Sequence, residues 1–242
     1  MKKEKEREKS FILWFDEIGI EDISLVGGKN ASLGEMCKHT TVKIPEGFAI
    51  TAYAYQYVLE KAGILNDLKA VLDGLNMHDP HALEKAGEAA RKLILSCELP
   101  SELQDAIGLA YHKLSTLCQN ENADVAVRSS ATAEDLPNAS FAGQQQSFLN
   151  ICGVAQLLEA CKNCFASLFT SRAIFYRHEN NFDHFKVYLS IGVQKMVRAD
   201  LASAGVIFTL DTETGFPDVV FITGSYGLGE SVVQGAVNPD EF

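Results

Sequence analysis

Gly27-Gly28-Lys29 stands directly ahead of an apolar helical pattern, Ala31, Leu33, Met36 and Cys37. Glycine lets backbone approach a ligand closely, a helix start offers unpaired N–H groups, and Lys29 adds a point charge. Together these make a phosphate cradle, although the G-x-x-x-x-G-K-[ST] spacing is absent and a tight turn with a surface lysine has the same composition. Arg128 ends a strand-like run and is followed by Ser129 and Ser130. Its guanidinium suits phosphate oxygens, or else a carboxylate such as Glu134 or Asp135. Ala139 to Gln145 is small and glycine-containing, and it joins two strands. Such a segment closes over a nucleotide with its N–H groups facing phosphate, or is a plain hairpin. Gln194-Lys195-Met196-Val197 leaves an apolar strand. Connections between lobes offer the backbone donor and acceptor that an adenine ring needs.

Other chemistries find little support. The six histidines (His39, His78, His81, His112, His178, His184) show no metal-ligand spacing near a carboxylate cluster and read as surface or capping residues, so no metal site is expected. There is no G-x-S-x-G and no Ser-His-Asp set. Cys161 and Cys164 form a C-x-x-C inside a helical pattern, without a second ligand pair. They read as free thiols on one helix, and Cys37, Cys97, Cys118 and Cys152 as reduced, half-buried residues.

The elements that must position these groups follow from periodicity. Residues 2–9 are KKEKEREK, a solvated charged end, and order is expected from near Phe11. Pro45-Glu46-Gly47 is a turn, and Phe48 to Ile50 a short strand. Thr51 caps a helix carrying Tyr53, Tyr57, Val58 and Ala62. Ile64, Leu65, Leu68, Val71, Leu72 and Leu75 form a second stripe. Asp79-Pro80 opens a third helix, and Ser101 to Gln104 has capping-box spacing for a fourth. From Asp124 the period changes to two. Val125 to Arg128 and Gln144 to Ile151 read as strands, and the apolar positions from Val154 to Tyr176 as one helix. From Phe185, the residues Phe185, Val187, Leu189, Ile191 and Val193 face one way, with Lys186, Tyr188, Ser190 and Gln194 facing the other. Two more strands are expected at Gly205 to Leu210 and Val219 to Thr223. A helical first half and a strand-rich second half predict an α+β fold.

The 242 residues carry a net charge of -11, with 47% hydrophobic and 22% charged residues. These values fit a globular chain, and the acidity argues against nucleic acid as the main partner. No apolar run reaches the roughly 20 residues of a membrane helix, and the charged N-terminus is no secretion signal, so a cytoplasmic protein is expected.

VGGKNASLGEM (Val26 to Met36), IPEGFAIT (Ile44 to Thr51), VAVRSSATAEDLPNASFAGQQ (Val125 to Gln145), VQKMV (Val193 to Val197), SAGVIFTLD (Ser203 to Asp211) and GLGESVVQGAVNPDEF (Gly227 to Phe242) resemble a known domain. It is the N-terminal ATP-binding domain of the phosphoenolpyruvate synthase and pyruvate phosphate dikinase family, shared with rifampicin phosphotransferase. The synthase versions of GGKNASLGEM and ASFAGQQ are the more similar. The charged end at 1–10 is expected to be disordered, and for the rest the resemblance implies an ATP-grasp-like fold: a first lobe at 11–197 with a helical subdomain at about 51–120, and the start of a second, truncated lobe at 198–242. It implies the reaction ATP + pyruvate + water giving AMP + phosphoenolpyruvate + phosphate, through a phosphohistidine on a swivelling domain. Carried onto this chain, Lys29 and Arg128 hold the ATP phosphates. Gly143 belongs to the lid, Ser147 and Phe148 lie on its outgoing strand, and Gln194 opens the segment that receives adenine. The family's Mg²⁺ ligands, phosphohistidine and pyruvate barrel come after the position of Phe242. No catalytic residue is therefore expected here, and the 242 residues alone are expected to be inactive. Gln146 stands where family members usually carry Asp or Glu.

Overall fold

Strict alternation along one strand demands two different environments on its two faces. In the computed structural model, which describes residues 6–132 and 146–242, those environments are a broad helical layer and a single helix. The central strand is β5 (Leu189–Lys195). With β1 (Ile12–Trp14), β2 (Gly47–Ile50), β3 (Val125–Ala131) and β4 (Ser147–Ile151) it forms a five-stranded sheet of order β1-β2-β5-β3-β4. Every pairing is antiparallel. Ile191 and Val193 are fully buried with Phe48, Ile50, Val125 and Val127. Against them pack α2 (Ala52–Ala62), α3 (Leu65–Leu72), α4 (Pro80–Ser96), α5 (Ser101–Leu117), α6 (Val154–Ser167) and α7 (Ser171–Glu179). Burying each such aliphatic or aromatic side chain contributes about 1.5–3 kcal/mol. The other face carries α1 (Ile23–His39) over a smaller core of Leu13, Phe15, Ile18, Val26, Ala31 and Ala49.

The α+β expectation holds: helices and antiparallel sheets occupy separate layers. The chain divides into two compact units, one ending at Met196 and the other Val197–Phe242. The second holds β6 (Ser203–Phe208), β7 (Phe221–Tyr226) and β8 (Asp240–Glu241) in a three-stranded antiparallel sheet, with the short α8 (Glu230–Val233). Among the described residues, no helix is long and apolar enough to cross a membrane.

Local signals placed two helix starts. The Thr51 hydroxyl accepts from Ala54 N (3.3 Å), and Asp79 accepts from His81 and Ala82 N ahead of Pro80. Three readings need correction. Ser101 is the first helical residue rather than the cap: Pro100 precedes it in extended conformation, and Gln104 turns back to the Leu99 carbonyl (2.6 Å). The expected helix from Val154 to Tyr176 is two helices, because Thr170 adopts an extended conformation and caps α7 through Ala173 N. Finally, β5 starts at Leu189. Ahead of it the Asp183 side chain accepts from Phe185 N and its carbonyl from Lys186 N, which holds a turn. The charged end is also less free than its composition implies. Arg7 donates to both carboxylate oxygens of the buried Asp22 and to the Glu17 carbonyl. Burial works to raise the Asp22 pKa, but Arg7 and the Gly19 N–H hold it below the usual carboxylate range.

Cys161 and Cys164 are free and fully buried on α6, and burial raises both thiol pKa values. Native protein should leave both unreacted with a thiol reagent that labels Cys152, and denatured protein should expose them without reductant. Labelling of either at the Cys152 rate would contradict the packing.

Arg177 is 0% exposed. Its Nε donates to His184 Nδ1 (3.0 Å), and its guanidinium lies over the Phe169 ring at 5.5 Å. Burial, reinforced by the Arg177 charge, lowers the His184 pKa to about 4. An unfolded histidine titrates near 6.5, so between the two values the unfolded chain binds the extra proton. Stability should therefore fall as pH drops from about 6.5 to about 4, by about 1–2 kcal/mol after solvent screening at the exposed ring edge. His184→Gln should flatten that part of a Tm-against-pH curve; an unchanged slope would remove His184 from the acid response.

Candidate functional site

Helix α1 is broken once. Gly27 has φ +73° and ψ 163°, so the regular helix starts at Gly28, just ahead of Lys29. A β-carbon on Gly27 would lie 2.3 Å from Ser130 Oγ and 2.4 Å from the Ser130 carbonyl oxygen. Glycine is thus what lets this helix start press onto β3. The next turn is locked to the sheet through Asn30, which is 2% exposed. Its backbone N–H donates to Ser130 Oγ (3.4 Å). Its side-chain Nδ2 donates to the Val26 carbonyl (3.0 Å) and to Ser190 Oγ (3.1 Å), and Ser190 passes its own proton to the Ile50 carbonyl (2.7 Å). The Asn30 amide lies against Gly192, where a β-carbon would come within 2.3 Å of Oδ1. Asn30 therefore joins α1 to β3 through its backbone N–H and to β5 through its side-chain amide, and Ser190 carries the link on to β2.

A cleft of about 260 Å³ opens between α1 and the sheet. Lys29, Arg128 and Gln194 all line it, with Asn30, Ser129 and Gly192; Phe15, Leu33 and Met36 supply an apolar side. Arg128 is the one exposed position in β3 and sits opposite Gly192 of β5. Among the described residues no carboxylate pairs with it; Glu134 and Asp135 lie outside them. Gln194 reaches the cleft from β5, its Nε2 donating to the Pro45 carbonyl (3.1 Å). Among the described residues the lining has two cations and no carboxylate, so it attracts an anion. Its volume is below the roughly 300–1,000 Å³ of sites that enclose whole small molecules, and suits a phosphate-bearing end.

The remaining sequence-predicted residues divide. Ser147 pairs with Arg128 across β3 and β4 and is exposed. Phe148 pairs with Val127 and packs on the helical core, so it is not brought to the cleft. Gly143 lies outside the described residues. The Gln146 side chain is exposed, while both its backbone groups bond Ser129: Ser129 Oγ accepts from its N–H (3.2 Å), and its carbonyl accepts from Ser129 N (3.2 Å). A change of side chain there leaves that tie intact. Sequence reasoning missed Asn30 as the hub. The available signal was a polar residue in the first turn of α1, matched by Ser190 on the polar face of an alternating strand.

A small cationic cleft beside a helix start in an α+β domain is a site suited to an anion. The chain belongs to the family of the pyruvate phosphate dikinase AMP/ATP-binding domain, which it matches over residues 23–242. It is 54% identical over 246 residues to the phosphoenolpyruvate synthase of Synechocystis sp., covering 98% of this chain and 30% of that protein. With the phosphoenolpyruvate synthase of Aquifex aeolicus the identity is 53% over 240 residues, covering 98% and 28%. With that of Escherichia coli it is 53% over 234 residues, covering 96% and 29%. The chain thus spans about 30% of the length of these relatives.

Proposed function

We propose that this chain supplies the ATP-binding part of a phosphoenolpyruvate synthase, which converts ATP, pyruvate and water to AMP, phosphoenolpyruvate and phosphate. One observation carries the reading: Lys29, Arg128 and Gln194 come from three separate elements and line one cleft. Lys29 and Arg128 bind phosphate oxygens, with the Gly28 helix start presenting its positive end to the same anion. Gln194 orients the base. Gly143 and Ser147 belong to the lid, and Phe148 anchors the lid's outgoing strand on the helical core. The organisation is of the ATP-grasp type: the unit ending at Met196 is the first lobe, and Val197–Phe242 begins the second. Mg²⁺ accompanies ATP and takes its protein ligands from outside these residues. Phosphoryl transfer to a histidine, and then to pyruvate, is the work of the further length that the relatives possess. ATP and pyruvate are water-soluble metabolites, and the setting is the cytoplasm.

The 242-residue chain, given ATP, Mg²⁺ and pyruvate, should bind ATP weakly and form no phosphoenolpyruvate. A coupled assay that reads phosphoenolpyruvate checks this, and product above the no-enzyme background would overturn the division of labour. Failure of the chain to bind ATP even at concentrations about a thousandfold above those that saturate the full-length protein would overturn the assignment of the cleft.

A further inference from the structure

His78, His178 and Glu179 lie outside the cleft, and spacing in the sequence does not connect the first with the other two. The fold brings them together: one ligand atom from each lies within 4.8 Å of the others, and all three residues are exposed. His178 and Glu179 end α7, while His78 sits in the linker that leads to the Asp79 cap of α4. That linker is held locally, because the His78 N–H donates to Asn76 Oδ1 (3.1 Å). The His78 ring stands edge-on to His178 (centroids 6.4 Å, 81°) and to Phe175 (6.2 Å, 78°). Among the described residues no lysine or arginine pairs with Glu179.

We propose that His78, His178 and Glu179 form a binding site for a divalent transition metal of the zinc type. Two imidazole nitrogens and one carboxylate oxygen are donors that select zinc, cobalt or nickel over Mg²⁺ and Ca²⁺, which prefer oxygen throughout. Bonds of about 2.0–2.1 Å to a tetrahedral ion place donors roughly 3.3–3.5 Å apart. Exposed side chains close the present separation by rotation, without disturbing the core. Three protein ligands leave the fourth position to water. The ion ties the linker before α4 to the end of α7, so its effect is a clamp on the helical layer. This site shares no residue with the proposed ATP cleft, and it stands or falls independently of it.

Cobalt(II) titration of tag-free, reduced protein tests the proposal, because its visible bands distinguish nitrogen and oxygen ligands from thiolate. One Co²⁺ should bind per chain, without sulfur-to-cobalt charge transfer, and Zn²⁺ should displace it. His78→Ala and His178→Ala should each weaken binding roughly tenfold or more, and Glu179→Gln several-fold, whereas His112→Ala, at an exposed histidine elsewhere, should leave it unchanged. Saturating Zn²⁺ should raise the Tm of wild type and not of the His78→Ala/His178→Ala double variant. The proposal is overturned if wild type binds Co²⁺ no tighter than that double variant, or if the bound spectrum is that of a thiolate site. All these side chains are exposed, so the variants should keep the metal-free Tm.

Discussion

ATP affinity of the full-length protein should fall about 10–100-fold when either Arg128 or Lys29 is replaced by alanine. A hydrogen bond between a charged donor and phosphate contributes roughly 1.5–3 kcal/mol, which converts to that range. Both residues line the same cleft from different elements, Lys29 from the first turn after Gly27 and Arg128 from β3. Each is exposed, so neither supports the core, and Tm should move by less than about 0.5 kcal/mol equivalent in either variant. Arg128→Lys should recover only part of the affinity, because an ammonium cannot reproduce the two parallel N–H donors of the guanidinium. Titration calorimetry with ATP, beside thermal unfolding, reads both quantities. Unchanged ATP affinity in Lys29→Ala, or a loss in Arg128→Ala that merely follows a fall in Tm, would show that these cations serve something other than phosphate.

Gly27→Ala should cost about 3 kcal/mol or more. Two penalties add. At φ +73° and ψ 163° the backbone occupies a region essentially confined to glycine, which costs an alanine about 1–3 kcal/mol. The new methyl would also stand 2.4–2.6 Å from backbone atoms of Ser130, which cannot rotate away. Relief requires lifting the start of α1 off β3, and that stretches the bond from Asn30 N–H to Ser130 Oγ and carries Lys29 out of the cleft. Gly63→Ala is the milder comparison, a positive φ in the ordinary left-handed region with no contact to relieve. Gly63 has φ +67° as the C-cap of α2 and nothing within 4 Å of an added β-carbon, so that change should cost only about 1 kcal/mol. Chemical denaturation of both variants checks the difference; equal losses would mean that neither the glycine-only backbone of Gly27 nor its contact with Ser130 resists a methyl group. ATP affinity should collapse in Gly27→Ala and survive in Gly63→Ala.

Some of this architecture was legible in the residues alone. Alternation from Val187 to Gln194 separated the face that meets the helical layer from the face that meets α1, because side chains on a strand can only alternate. Thr51 and Asp79 announced their helices, since a cap acts within three residues of itself. The helix start read after the glycine pair was only partly right: α1 already begins at Ile23, breaks at Gly27 and resumes at Gly28. Within one unbroken apolar pattern, however, the break at Thr170 was not visible: both helices keep apolar residues facing one core, and only the backbone turn separates them. The face taken by Phe148 was also hidden. Register between β3 and β4 shifts between Val125 and Val127, so counting residues in one strand does not give the phase of the other.

Residue types by themselves determined which groups were able to hold an anion, a lysine at a helix start and an arginine on a strand, and marked a glutamine at a strand end as the opening of a segment for adenine. Only the tertiary structure decided that these three share one cleft, that Asn30 forms its floor, and that His78 meets His178 and Glu179. The physical reason is the range of the forces involved. Periodicity and caps act over a few residues, whereas Asn30 reaches Ser130 and Ser190 across 100 and 160 positions of chain. Those meetings follow from the antiparallel order β1-β2-β5-β3-β4 and from the close approach allowed at Gly27 and Gly192, which is a property of the packed sheet and not of any one segment.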